Sequence, residues 1–342
     1  MKPSRRSEPT TEDDLLAALR RVLSGDQPGV ALGIGDDAAV VETRDGQALL
    51  TADILVEGVH FDRSSIAPRD LGAKSIAVNV SDVAAMAGSP RYAVASVVLP
   101  PGVDPAWAVE LEAGMRAACE EYALALVGGD LSRGPVAVVA VTVVGEVAPG
   151  RFVTRSGARP GDRLVVTGFL GASAGGLELA RADPQAVRAA LGTDWARSLI
   201  DAHVRPVARV GEGQTLARAG ATSMMDVSDG LALDLSRLCL ASEVGARVGL
   251  DRLPVARGLH DLARVLPVDP LELSLSGGED YELLATLPAE RVAEAADALD
   301  ERFGVRLTDI GEITAGPGLV AVDEHGAERP LEPRGWDHLA HR

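Results

Sequence analysis

The sequence predicts an α+β protein made of two α+β domains, and three observations carry that expectation. Apolar runs of strand length come in hairpin-like pairs with helices between them, not in the strict alternation of a doubly wound sheet. Breaks in texture at Pro149-Gly150 and at Arg159-Pro160-Gly161-Asp162 divide the chain into 1–148 and 149–342. The length, 342 residues, is comfortable for two domains and long for one, and a composition 46% apolar but only 3% aromatic gives a core of Ala, Val and Leu.

In the first half, Thr10 or Thr11 can cap a helix with Glu12, Asp13 and Asp14 in its first turn and Leu15, Leu19, Val22 and Leu23 on one face. Short apolar runs follow at Val30–Leu32 and Ala48–Val56. A second helix follows Pro68, with Ala73, Ile76, Ala77, Val80, Val83 and Ala84 at helical spacing, and Gly88-Ser89-Pro90 ends it. Ala93–Leu99 reads as a strand, Pro105–Ala123 as a helix, and Leu124–Val127 and Val136–Val147 as strands. The second half opens with a strand at Arg163–Thr167 and a Gly-rich turn from Gly168 to Gly176. A strand around Ala221–Met225, a helix after Ser228 and a last long helix at Ala289–Phe303 follow. Val-Ser-Asp leads into a helix in both halves, at Val80-Ser81-Asp82 and Val227-Ser228-Asp229, which is thin support for duplication.

A formal net charge of −17 is the wrong sign for a protein that binds phosphate backbones, which sets nucleic acid aside as a partner. Cys119 and Cys239 lie in Ala/Leu-rich segments without metal-ligand spacing and read as buried free thiols. The N-terminal MKPSRRSEPT has basic residues but no apolar stretch behind them, and no run approaches the roughly 18 apolar residues of a membrane span. The expectation is a soluble, cytoplasmic protein.

The aspartates carry the chemistry. Asp36 and Asp37 fall in GIGDDAA, Asp53 in TADILVEGVHF, Asp82 in NVSDVAAMAG, Asp130 in VGGDLSRG, and Asp226 and Asp229 in MDVSDGLALDL. Each sits at the edge of an apolar segment, beside Gly, Ser or Thr, where a strand or helix is expected to give way to a turn. Singly, each reads as a helix cap or turn former. Together, carboxylates gathered at element ends repel one another unless a cation neutralises them, and hard oxygen ligands suit Mg²⁺ or Ca²⁺. Gly128-Gly129-Asp130 follows an apolar strand and Gly277-Gly278-Glu279-Asp280 precedes one. Glycine there lets backbone N–H groups approach a phosphate, although an ordinary tight turn needs the same residues.

Residues 33–38 match the dinucleotide fingerprint G-x-G-x-x-A, but two aspartates would then face the pyrophosphate and no clear strand–helix–strand unit surrounds them. No P-loop is present, and the chain holds only two lysines, Lys2 and Lys74. If it transfers phosphate, metal ions must replace the usual lysine. His60 in GVHF reads as a packed or capping residue or as a substrate contact, and there is no Gly-x-Ser-x-Gly elbow.

Read in order, GIGDDAA, TADILVEGVHF, NVSDVAAMAGSPR, GGDLSRGP, TRSGARPGD, DVSDGL and SGGEDYEL resemble the thiamine-monophosphate kinase family, from about residue 33 to the C-terminal GWDH. That family belongs to the ATP-binding superfamily of aminoimidazole ribonucleotide (AIR) synthetase. The resemblance implies an AIR-synthase-like ATP- and Mg-binding N-terminal domain that dimerises through its strands in a β-barrel-type interface. It also implies a second AIR-synthase-like domain, an α/β sandwich contributing substrate and metal residues. The implied reaction is ATP plus thiamine monophosphate giving ADP plus thiamine diphosphate, with several Mg²⁺ ions. Asp37, Thr51, Asp53, Asp82, Asp130, Asp226 and Asp229 match the family's magnesium ligands. Gly129, Asp130, Arg155 and Ser228 match positions near ATP, and His60, Glu279 and Trp336 positions around the thiamine substrate. Ala52 stands where a hydroxyl residue is common, and Met86-Ala87-Gly88 where Met-Gly is usual.

A phosphate monoester acceptor is already anionic at neutral pH, so the obstacle is joining two polyanions, not removing a proton. Direct in-line transfer without a phosphoenzyme is expected, with Asp53 and Asp229 essential to it. Arg155 is expected to neutralise phosphate charge, while Glu279 and Trp336 face the cationic thiazolium. The rivals are another ATP-using enzyme of the superfamily and a non-catalytic divalent-metal-binding protein. Of the former, selenophosphate synthetase and the hydrogenase-maturation protein rely on a reactive cysteine near one terminus, where this chain has none.

Overall fold

The structure, a computed structural model, describes residues 11–23, 28–44 and 46–339. Thr10 and the MKPSRRSEPT segment lie outside the described residues, as do the side chains of Val22 and Leu23. Helix α1 (Glu12–Leu23) is capped by Thr11, whose Oγ1 accepts from the Asp14 N–H at 3.2 Å.

The first half is a six-stranded sheet in the order β1-β2-β3-β6-β4-β5. Its strands are β1 (Val30–Leu32), β2 (Ala39–Thr43), β3 (Gly46–Val56), β4 (Ser89–Leu99), β5 (Ala125–Arg133) and β6 (Val138–Val147). All pairs are antiparallel except β4–β5. Helices α2 (Pro68–Ala85) and α3 (Pro105–Glu121) are linked to this sheet by a core that includes Leu49, Ile76, Val80, Met115, Val139 and Val141. The two helices touch backbone to backbone. A Cβ on Gly72 would fall 2.0 Å from the Leu111 carbonyl oxygen, and one on Gly114 1.9 Å from that of Arg69. The opposite face of the sheet is bare: Leu50, Ile54, Tyr92 and Val94 are all exposed.

The second half is a seven-stranded sheet in the order β13-β12-β9-β11-β7-β10-β8. It comprises β7 (Arg163–Thr167), β8 (Ser223–Asp226), β9 (Gly245–Gly249), β10 (Leu283–Leu287), β11 (Leu307–Thr314), β12 (Gly318–Val322) and β13 (Glu328–Pro330). Helices α4 (Ala172–Arg181), α5 (Pro184–Val187), α6 (Asp194–Val204), α7 (Val210–Ala219), α8 (Leu231–Ser242), α9 (Arg257–Leu262), α10 (Pro270–Ser276) and α11 (Val292–Phe303) accompany it. Strands β8 and β10 are buried at every position because both faces are covered. Leu164 and Val166 join Leu231, Leu235 and Leu238 of α8 in one core, while Val165 and Met224 join Leu216 of α7 and Leu299 of α11 in another. Helix α2 also packs on α7 and β8, so it belongs to both halves. A Cβ on Gly213 would lie 2.2 Å from the Ala84 carbonyl oxygen.

Several local expectations change. Strand β4 starts at Ser89, not Ala93, and accommodates Pro90 beside a register shift in its pairing with β6. Strand β2 was not expected at all. Gly128-Gly129-Asp130 is no strand-end turn: β5 runs through it, and Gly129 lets β5 approach β4, where a Cβ would sit 1.8 Å from the Ala95 carbonyl oxygen. Gly175 and Gly176 lie inside α4, not in a turn, and a Cβ on Gly176 would fall 2.2 Å from the Leu199 carbonyl oxygen of α6. Val80-Ser81-Asp82 is inside α2, whereas Val227-Ser228-Asp229 precedes α8, so the shared triplet does not mark equivalent structure. Ala87 of the Met86-Ala87-Gly88 segment adopts a left-handed φ of 61°, a conformation that favours glycine. Cys119 and Cys239 are free and buried, and no helix among the described residues is long and apolar enough to cross a membrane.

Candidate active site

A cavity of about 1100 Å³ opens where the two halves meet. Three carboxylates of its lining come together. Asp37 enters from the segment after β1, Asp82 from the last turn of α2, and Asp226 from the end of β8. One carboxylate oxygen of each lies within 4.8 Å of those of the other two. Asp53 projects from the middle of β3, not from an element end, and Asp229 from the loop before α8; both line the same cavity.

Neighbouring groups fix these side chains. The Thr51 hydroxyl donates to Asp82, the Ser81 hydroxyl donates to Asp226 at 2.5 Å, and the Asp53 N–H donates to Asn79 Oδ1 at 2.8 Å. Arg155 grips Asp37 from Nη2 at 2.6 Å and Nε at 3.2 Å. The other oxygen, Asp37 Oδ2, is buried with no hydrogen-bond partner among the described residues. Asp36 is turned aside, accepting from the backbone N–H of Arg155 at 3.1 Å. The two neighbours thus have different surroundings, which the bare residues could not tell.

The cluster is electrostatically unhappy without a cation. Burial, then the charge of Asp229, pushes Asp53 up to about 6. Burial raises Asp82 well above the carboxylate range, and Asp53, Asp226 and Asp37 add to it. Asp226 is raised in the same way by burial and Asp37. An orphaned buried carboxylate oxygen beside two carboxylates that resist ionisation is a donor set that fits a hard divalent cation.

Asp234 and Arg237 of α8, unremarked in the sequence, build the loop that carries Ser228 and Asp229. Asp234 Oδ2 accepts from the N–H groups of Ser228, Asp229 and Gly230 at 3.1, 3.0 and 3.1 Å. Arg237 Nη1 donates to Asp229 at 2.5 Å and to Asp234 at 3.1 Å. Their signal was present: an acid in the first turn of a helix, followed three residues on by a base. The Gly277-Gly278 segment crosses this loop closely, a Cβ on Gly278 falling 2.6 Å from the Ser228 carbonyl oxygen.

His60, Glu279 and Trp336 line the same cavity, as do Arg155 and Ser228. His60 Nδ1 accepts from the Val56 N–H at 3.0 Å, and burial followed by the nearby His338 lowers its pKa. Its ring centroid lies 5.0 Å from that of His338, which in turn meets Trp336 edge-on at 5.6 Å. Glu279 is paired with Lys74 and His203, two residues without an obvious sequence signal beyond the rarity of lysine. Gly129 and Asp130 are the exceptions. They are exposed on β5 and do not line the cavity. Register places Asp130 beside Ser96 on the bare face of the sheet, while Asp53, opposite Val141, shares the face that α2 covers.

Comparison with known proteins identifies the family. Residues 35–147 match the family model of the AIR synthase related protein, N-terminal domain, and residues 159–324 that of its C-terminal domain. The thiamine-monophosphate kinase of Escherichia coli O157:H7 is 40% identical over 312 residues, 91% of this chain and 93% of that one. That of Aquifex aeolicus (strain VF5) is 38% identical over 306 residues, 90% of this chain and 92% of its own. The solved structure of AaThiL complexed with AMPPCP and TMP superposes with a TM-score of 0.83 at 35% identity, covering 97% of this chain and 98% of that one. Hydrogenase maturation protein HypE in complex with ATP, 22% identical with a TM-score of 0.67 over 92% of this chain and 94% of its own, shares the fold. The chain therefore belongs to the AIR synthase related family, among its thiamine-monophosphate kinases.

Proposed function

We propose that this protein transfers the γ-phosphoryl group of ATP to thiamine monophosphate, giving ADP and thiamine diphosphate, by direct in-line transfer. The carrying observation is the convergence of Asp37, Asp53, Asp82, Asp226 and Asp229 from both halves on one cavity, with Asp37 Oδ2 buried and unpartnered. Asp37, Thr51, Asp53, Asp82, Asp226 and Asp229 are the residues to hold Mg²⁺, which when bound supplies neutralisation of the phosphate charges. Arg155, kept cationic by Asp37 although burial opposes its charge, adds a fixed positive group beside the ATP phosphates. Ser228 stands beside the ATP phosphates on the loop that Asp234 orders. His60, Glu279 and Trp336 orient the thiamine portion. A phosphate acceptor asks no strong base of the protein, and no phosphoenzyme is invoked.

The purified protein is expected to release ADP and form thiamine diphosphate, identified chromatographically, only when ATP, thiamine monophosphate and Mg²⁺ are all present. ATP binding without thiamine diphosphate would leave another ATP-using reaction of the superfamily, and Mg²⁺ binding without ATP binding would leave a metal-binding protein.

The placement of Asp130 supports a homodimer. On the bare, apolar sheet face it cannot join Asp53 within one chain, so Gly129 and Asp130 act on the cavity of a second copy packed against that face in a barrel-like interface. Asp130→Asn and Asp229→Asn are each expected to be inactive alone. When the two are unfolded and refolded together, about a quarter of wild-type activity returns, since half of the dimers carry one intact site. No recovery would place Asp130 outside the partner's site.

A further inference from the structure

Lys74 lies within α2 and is only 1% exposed. A buried ammonium requires acceptors, and the two it finds come from the second half of the chain. Its Nζ sits 2.8 Å from Oε1 of Glu279 and donates to the His203 carbonyl oxygen at 3.0 Å. The second carboxylate oxygen, Glu279 Oε2, is 3.2 Å from Nδ1 of His203, and that ring nitrogen is 3.1 Å from the Ser173 hydroxyl. Glu279 itself has a left-handed φ of 66°, a conformation that residues with a Cβ rarely adopt. Its backbone is held from the other side, the N–H donating to the Ser228 carbonyl oxygen at 2.7 Å. The ion pair and this hydrogen bond together set where the carboxylate stands in the cavity wall.

We propose that Lys74 is a positioning residue of the acceptor site, fixing the Glu279 carboxylate toward the cavity from across the junction of the two halves. The proposal rests on the reading that Glu279 contacts thiamine monophosphate. It adds a reason why a chain so poor in lysine keeps one in the middle of a buried helix. Burial works against the charge of Glu279, and Lys74, then His203, outweigh it and bring its carboxyl down to about 2. The titratable groups facing Glu279 are Lys74 from α2, His203 from α6, His60 after β3 and Tyr281 on its own segment. With Lys74 removed, burial dominates, so Glu279 takes up a proton at a higher pH than in the native protein.

The test is a kinetic cycle on the full chain with Mg²⁺ and ATP, using Lys74→Met, Lys74→Arg, Glu279→Gln and the double variant Lys74→Met/Glu279→Gln. Lys74→Met is expected to raise KM for thiamine monophosphate about tenfold while leaving KM for ATP nearly unchanged, with Lys74→Arg largely restoring it. The defect deepens as pH falls, because the uncompensated Glu279 is then protonated. The double variant is expected to be no worse than Glu279→Gln alone. If Glu279→Gln leaves KM for thiamine monophosphate untouched, the acceptor reading of Glu279 falls and this proposal with it. If Glu279→Gln raises that KM but Lys74→Met does not, or if the two defects multiply, the positioning role is overturned while the acceptor reading stands. Should Lys74→Met not melt cooperatively, Lys74→Gln, which keeps a donor but no charge, is judged by the same outcomes.

Discussion

Asp53→Asn is expected to lower kcat for thiamine diphosphate formation by about a thousandfold while the melting temperature of the metal-free protein stays level or rises. The two effects separate because of how Asp53 is held. Its backbone N–H bonds to Asn79, a contact the substitution keeps, and its carboxylate serves no salt bridge among the described residues. Burial and the charge of Asp229 already oppose its ionisation, so a neutral isostere relieves strain in the empty site. Asp229→Asn is a less clean variant, because it also takes a partner from Arg237. Steady-state kinetics and a thermal melt on the same preparation check this. Retained turnover would remove Asp53 from the metal site, and a collapsed melt would make its role structural.

A second large effect lies in pH. Stripped of divalent ions with EDTA, the protein is expected to lose stability as pH rises from 5 to 8, by about 5 °C or more in melting temperature. Asp53 is held up at about 6, Asp36 and Asp234 at about 7 and Asp280 at about 8, in each case by burial first. Asp82 and Asp226 are raised in the same direction. The unfolded chain ionises these groups near their ordinary value of 3.8, so between that value and the raised ones the folded state binds more protons. The stabilisation is complete below the unfolded value and is lost as pH climbs through the folded ones. Mg²⁺ is expected to raise the melting temperature more at pH 8 than at pH 5, because cation binding replaces protons on the cluster. A melting temperature that is flat with pH in EDTA, or equal Mg²⁺ effects at both values, would contradict the account.

What the sequence conveyed follows from which physics is local. The helices from Pro68 and Pro105 and the strands at Val30, Ala48 and Arg163 were legible, because proline at a helix start and apolar period report short-range forces. The Gly128-Gly129-Asp130 segment was misread because its glycine answers a close approach of β4, a tertiary fact with no local mark. Among the site residues, the aspartates stood out as acids embedded in core-like sequence. The unequal fates of Asp36 and Asp37 depend on Arg155, more than a hundred residues away, which no spacing encodes. Lys74 and His203 were missed for the same reason: their partner Glu279 is distant in sequence and adjacent only in the fold. Ala87 takes a left-handed, glycine-like conformation that nothing in its own residue type announces.

The central claim is that carboxylates from both halves of the chain share one divalent-metal site. Titration with Mn²⁺, followed by electron paramagnetic resonance, tests it most directly on the wild type, Asp82→Asn from the first half and Asp226→Asn from the second. Both variants are expected to lose the same class of bound ion that the wild type holds, with Mg²⁺ competing for it. Wild-type Mn²⁺ binding in both variants, or loss in only one of them, would contradict a site built by the two halves together.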